Sequence, residues 1–200
     1  MKKKMQSVGD QRNRFKGRPA VILGAGPSLP GQIKYIPDNA VKIAINERPP
    51  LLVECDYVVF YDFNTIPLVG DFKCKKISPF NGWSEFWIDS DVWFNGWSGS
   101  AAVWFACYAG CDPVILMGMD CYQGEKEYFT DEKPGPFQSS GGTVPLEKHM
   151  KSWGEAFVKC PNPGAIKAFD GPLVEIFGKW EPLSKSQNSE KDLIKKRMTR

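Results

Sequence analysis

The feature that most constrains this chain is an apolar run, Ala20–Leu23, that feeds straight into Gly24-Ala25-Gly26-Pro27-Ser28-Leu29. Four small or apolar residues in a row suit a central strand covered on both faces. Gly24 and Gly26 carry no Cβ, so the backbone after the strand can turn sharply and approach another group closely. Pro27 has the φ angle of a first helical residue and no amide of its own, so Ser28 and Leu29 open a helix whose N–H groups point back at the turn. Such a turn suits an anion, a phosphate above all; a plain strand-to-helix connection explains the same residues. Pro30 and Gly31 keep the helix short.

The arrangement recurs along the chain. Val41–Ile45 ends at Asn46, Tyr57–Tyr61 ends at Asp62, and Val114–Met117 runs into Gly118-Met119-Asp120. Lys76–Ser78 and Ala165–Phe169 read as two further strands. Apolar strands alternating with turn-rich and helical stretches predict an α/β fold: one Rossmann-like domain, with a mostly parallel sheet flanked by helices. In such a sheet ligands collect at the carboxyl ends of the strands, so Gly24, Asn46, Asp62 and Asp120 are expected at one edge. Ser98-Gly99-Ser100 offers cap hydroxyls to a buried helix over Ala101–Ala109, which Gly110 stops. A second helix, Pro145–Val158, carries a stripe of Leu146, Met150, Trp153 and Phe157, with His149 on its border. Between 63 and 97 six aromatic residues, Trp83 to Trp97, follow no clean period and are expected to cover the sheet edge. Residues 123–144 form a polar loop containing Tyr128.

Composition sets the class. A chain of 200 residues with 42% hydrophobic and 13% aromatic content is a single ordered domain. No apolar run reaches the roughly 18 to 20 residues of a membrane span, and Met1–Lys4 leads into polar sequence instead of a signal-peptide core, so a cytoplasmic protein is expected. The six cysteines show no Cys-x-x-Cys pair and no close histidine, which argues for packed free thiols and against zinc. Charge is uneven. Residues 1–18 hold seven Lys/Arg and one acid, and 184–200 hold six and two, so the body between them is acidic although the chain totals +3. The ends are expected to be basic flexible tails around a nucleotide-binding domain spanning 19–183. Nucleic acid would be contacted only through those tails, and a homo-oligomer is compatible with the sequence.

Taken together, Gly24-Ala-Gly-Pro-Ser-Leu29, Ser98-Gly-Ser-Ala-Ala102 and Ile115-Leu-Met-Gly-Met-Asp-Cys-Tyr122 resemble the bacterial sialyltransferases of the Campylobacter type, with the related motility-associated and pterin-diphosphokinase-like proteins. Small phage and prophage members of this kind exist, and for one of these the setting would be the host cytoplasm. The resemblance covers roughly residues 19–170. It implies a metal-independent transferase that uses a CMP-sugar donor, with no required cofactor and with the acceptor left open. The donor nucleotide would be held by Gly24, Ala25, Gly26, Pro27, Ser28 and Asn46, with help from Ser98 and Gly99. Tyr122 and Tyr128 would hydrogen-bond the departing phosphate, and His149, the one histidine of the chain, would be the general base. An imidazole with a pKa near 6.5 suits that role, and phenols suit a leaving phosphate.

The chain departs from the transferases at two places. The arginine they carry shortly before Ser-Gly has no counterpart in Phe94-Asn-Gly-Trp97, and Asp62 stands where they place an asparagine. Carboxylates at two strand tips, Asp62 and Asp120, would instead suit Mg²⁺ on a nucleoside triphosphate, as the diphosphokinase relatives imply. A third reading is a non-catalytic nucleotide-binding phage protein.

Overall fold

A computed structural model describes residues 6–80, 82–87, 97–121, 128–129 and 146–182. The eight strands are β1 (Gln6–Ser7), β2 (Ala20–Leu23), β3 (Val41–Ile45), β4 (Tyr57–Val59), β5 (Lys75–Ser78), β6 (Phe86–Trp87), β7 (Val114–Met117) and β8 (Ile166–Ala168). They make one sheet in the order β1-β6-β5-β4-β3-β2-β7-β8, with every pairing parallel. This is the Rossmann-like α/β fold expected from the alternation of apolar runs and turns. Two of its interior strands, β2 and β7, are buried at every position, as their unbroken apolar sequences require.

Side-chain alternation splits the core into two layers. Ile22, Ile43, Val59 and Leu116 face α3 (Ser98–Tyr108), α4 (Leu146–Lys159) and α5 (Val174–Phe177). Val21, Leu23, Ala44, Val58, Ile115 and Met117 face the short helices α1 (Leu29–Gln32) and α2 (Ile66–Val69). Each wholly buried Ile or Leu contributes roughly 2 kcal/mol of burial free energy, so these layers dominate stability. α3 packs on β2, β3, β4 and β7 and also on α4, which explains why its sequence is apolar nearly all round. α4 is amphipathic. Trp153 is buried, and Leu146, Met150 and Phe157 pack at the border of the same core.

Residues 6–18 do not form the flexible basic tail that their charge suggests. β1 pairs with β6 at the sheet edge, Val8 and Gln11 are buried, and Phe15 packs edge-on against Tyr57 at 6.0 Å. The last carbonyls of a helix have no intrahelical partner, and this segment supplies donors to the end of α3. Asn13 N–H bonds Tyr108 O at 3.1 Å, Phe15 N–H bonds Ala109 O at 2.8 Å, and Gly17 N–H bonds Gly110 O at 2.9 Å. Arg12, Arg14, Lys16 and Arg18 stay exposed while the residues between them are tied down. The expected C-terminal tail, 184–200, lies outside the described residues, as do most of the 123–144 loop and residues 88–96.

Candidate functional site

Parallel pairing brings the carboxyl ends of the strands to one edge. Leu23 lies opposite Ala44 on one side and Met117 on the other, and Ile45 lies opposite Val59. Gly24, Asn46, Tyr61 and Gly118 therefore leave the sheet side by side. The chain proceeds from β2 to β3 on one flank and later returns with β7 on the other, so the topological switch point falls between the turns after β2 and β7.

That crevice is closed by the protein itself. Gly24 N–H bonds Met117 O at 2.8 Å and Gly26 N–H bonds Gly118 O at 2.9 Å. A Cβ at Gly24 would overlap the Gly118 carbonyl, and one at Gly26 would overlap the Asp120 carboxylate. Both glycines thus admit the β7 turn. Asp120 Oδ2 accepts from the Ser28 amide at 3.2 Å and from the Ser28 hydroxyl at 2.8 Å. Gln32 Nε2 donates to Ser28 Oγ at 3.0 Å, while Gln32 Oε1 accepts from Gly118 N–H at 2.8 Å. The helix opening at Ser28 does hold an anion, and that anion is Asp120. With Leu29 N–H bonded to Gly26 O, the amides of residues 24, 26, 28 and 29 all have protein acceptors, and Pro27 has no amide. Of the turn expected to cradle a phosphate through free N–H groups, only the Ala25 amide has no acceptor among the described residues; the rest of the turn is a shaped wall.

The other half of the edge differs. Asn46 sits at the tip of β3 with φ 58°, a left-handed conformation that asparagine tolerates better than most residues. Its amide N–H bonds Val59 O at 3.0 Å, but its side-chain Oδ1 is buried and accepts no hydrogen bond among the described residues. Such an orphaned acceptor costs about 1 to 3 kcal/mol unless something donates to it. Beside it, Glu47 and Arg48 are buried as an ion pair at 3.1 Å. The Arg48 guanidinium lies over the Tyr128 ring, 4.1 Å from its centre. The residue after Tyr128, Phe129, donates its N–H to Ala25 O at 3.0 Å, so this pair of aromatic residues ties the glycine turn to the β3 tip. Tyr122 lies outside the described residues.

Ser98 and Gly99 open α3, yet the helix begins without a side-chain cap. The cap position is held by Trp97, whose ring has no acceptor to offer, and the Ser98 hydroxyl, one residue further on, accepts from Tyr61 N–H at 3.0 Å and pins the exit of β4. Ser100 donates to Trp97 O at 3.0 Å. A Cβ at Gly99 would stand 3.2 Å from the Trp153 ring and 3.4 Å from Ile45, so glycine there lets α4 approach the β3 tip. His149 is buried deeper than its border position suggested, and its ring meets Trp97 edge-on at 5.0 Å. Burial, and secondly the Lys148 charge, hold its pKa below 6.5, so the imidazole is neutral at neutral pH. Asp62 is exposed past β4; partial burial first, then the Glu47 carboxylate, raise its pKa above the usual carboxylate value.

Asp62 and Asp120 follow strands that β3 and β2 separate. At about 4.8 Å per strand, their stems are roughly 14 Å apart, far more than a Mg²⁺ with ligands near 2.1 Å can bridge. Asp120 is moreover engaged by Ser28. The paired-carboxylate metal site expected from the sequence does not fit this spacing, and no group of three His, Cys, Asp or Glu suited to a metal occurs among the described residues.

Glu47, Arg48, Gln32 and Trp97 were not singled out by sequence. The one available signal was Asn46-Glu47-Arg48-Pro49-Pro50, a charged pair at a strand exit stopped by two prolines. No family model and no curated protein matches the chain. Among solved structures, it is similar to the Campylobacter sialyltransferase CST-II, solved with a trisaccharide acceptor and CMP, at a TM-score of 0.54 and 14% identity over 83% of this chain and 87% of that one. At that identity the likeness is one of fold.

Proposed function

We propose that this protein is a glycosyltransferase-like enzyme that binds a nucleotide-activated sugar, most like a CMP-sugar, at the tips of β2, β3 and β4. The observation that carries the reading is the Asn46 amide, whose buried Oδ1 accepts nothing from the described residues and needs a donor such as a nucleoside hydroxyl or exocyclic amine. The solved structure of similar fold was crystallised with CMP, which supports the same class of ligand. In this reading the glycine turn, residues 24–28, forms one wall, and Ser98 and Gly99 hold the opposite side near the β3 and β4 exits. A neutral His149 takes the proton from an acceptor hydroxyl as that oxygen bonds the sugar carbon. The bond from the sugar carbon to the phosphate oxygen breaks, and the phenols of Tyr122 and Tyr128 donate to the charge left on the departing nucleotide. Asp120 is assigned to holding the turn closed, and Asp62 to the rim of the pocket.

The test is turnover of CMP-sialic acid in the presence of chelator, compared between wild type and His149→Gln. We expect transfer, or at least donor hydrolysis, to fall by about a hundredfold or more while CMP binding stays within twofold. Equal activity in the two proteins would remove His149 from the chemistry. A thermal shift produced by ATP or GTP only with Mg²⁺, and not by CMP, would overturn the donor class.

A further inference from the structure

The closed crevice raises a question of charge. A phosphorylated donor brings negative charge to an edge that already carries Glu47, Asp62 and Asp120, and the backbone donors of residues 24, 26, 28 and 29 have protein acceptors. Arg48 is the one lysine or arginine that is buried among the described residues, and it stands at this edge two residues after Asn46. Lys148 and Lys151 on α4 are exposed. A buried arginine is costly to desolvate, and here three features fix its place: the Glu47 carboxylate at 3.1 Å, the Tyr128 ring at 4.1 Å, and Pro49 immediately after it. Through Tyr128 and Phe129 it is coupled to Ala25 of the glycine turn.

We propose that Arg48 is the cation that recognises the nucleotide phosphate of the donor, with Glu47 and Tyr128 as the residues that position it. The inference rests on the donor-site reading above. A planar guanidinium suits this task because it forms paired hydrogen bonds to two phosphate oxygens, which an ammonium does not. Glu47 then plays two parts. It keeps the guanidinium compensated when no donor is present, and it competes with the phosphate for it.

The experiment is calorimetric titration of wild type, Arg48→Lys and Glu47→Gln with CMP, cytidine and CMP-sialic acid, alongside their melting temperatures. Arg48→Lys should weaken CMP at least about tenfold and leave cytidine within twofold, because cytidine lacks the phosphate. Glu47→Gln, which keeps the arginine and most of the packing, should bind CMP severalfold more tightly with cytidine again unchanged. A purely structural role for the pair would move CMP and cytidine together, or neither, and would overturn the proposal. A loss confined to CMP-sialic acid, with CMP unaffected, would place Arg48 on the sugar carboxylate and overturn the phosphate assignment. Failure of wild type to bind CMP or CMP-sialic acid at all would contradict the donor-site reading itself, a result distinct from wild-type binding that ignores Arg48.

Discussion

Gly26 and Asp120 are a matched pair: the missing Cβ of one is the space occupied by the carboxylate of the other. Gly26→Ala should therefore cost several kcal/mol, and Asp120→Ala about 1 to 3 kcal/mol, since it leaves the Ser28 amide and hydroxyl without their acceptor. In the double variant the methyl group no longer meets the carboxylate, although the Gly118 carbonyl, 2.7 Å from its position, still crowds it, so the relief is partial. Urea denaturation should accordingly show a combined loss smaller than the sum by about 1 kcal/mol or more, and additive losses would contradict this account of the turn. His149 makes a second prediction. Its folded pKa lies below the unfolded value of 6.5, so its contribution to stability is fully present above that value and declines as pH falls from there through the lower folded value. The midpoint of unfolding should drop between pH 7 and 5 by more in wild type than in His149→Gln. Sequence alone placed His149 on the border of a helical stripe; only packing of Trp97 and Trp153 around the start of α3 reveals how far it is buried. The thiols follow the composition-based reading: all six are buried and none is in a disulfide, and burial pushes Cys55 and Cys111 up to about 12.

At the scale of elements, β2, β3 and β7 were legible because each is a short apolar run bounded by glycine, asparagine or proline. β5, α3 and α4 were legible too, from short alternation, a continuous apolar helix and a clean stripe. β1 and β6 were not, since two-residue strands carry no pattern of their own and gain order only from the neighbour they pair with. The segment from 8 to 18 was misread for a physical reason. Its basic residues alternate with the few that bury, and its backbone order comes from the end of α3, about ninety residues away in sequence. Deleting residues 1–18 should therefore lower stability by several kcal/mol, through loss of Val8, Gln11 and Phe15 and of the donors to Tyr108, Ala109 and Gly110. Replacing exposed Arg12 and Lys16 by serine should change it by less than about 1 kcal/mol. Equal effects in the two proteins, measured by denaturant midpoint, would restore the view of this segment as a tail.

For the whole molecule, the sequence implied that several strand tips converge, and the parallel registers place Gly24, Asn46, Tyr61 and Gly118 along one edge. It did not yield strand order. The order separates Asp62 from Asp120 and joins Asp120 to Ser28 across 92 residues, and it rests on long-range pairings that no local pattern encodes. The Arg48–Tyr128 contact was hidden for the same reason. What results is an edge with two unlike halves: a glycine turn sealed by its own carboxylate, and a β3 tip with a buried acceptor and a clamped arginine. In the proposed donor site the nucleotide lies against the second half. Calorimetric titration of CMP in chelator, with wild type and Asn46→Gly, addresses that claim most directly, because glycine keeps the left-handed backbone and removes only the amide. The expected result is metal-free binding by wild type and binding about tenfold weaker in Asn46→Gly, with the melting temperature preserved. Unchanged affinity in the variant, or no affinity in wild type, would contradict it.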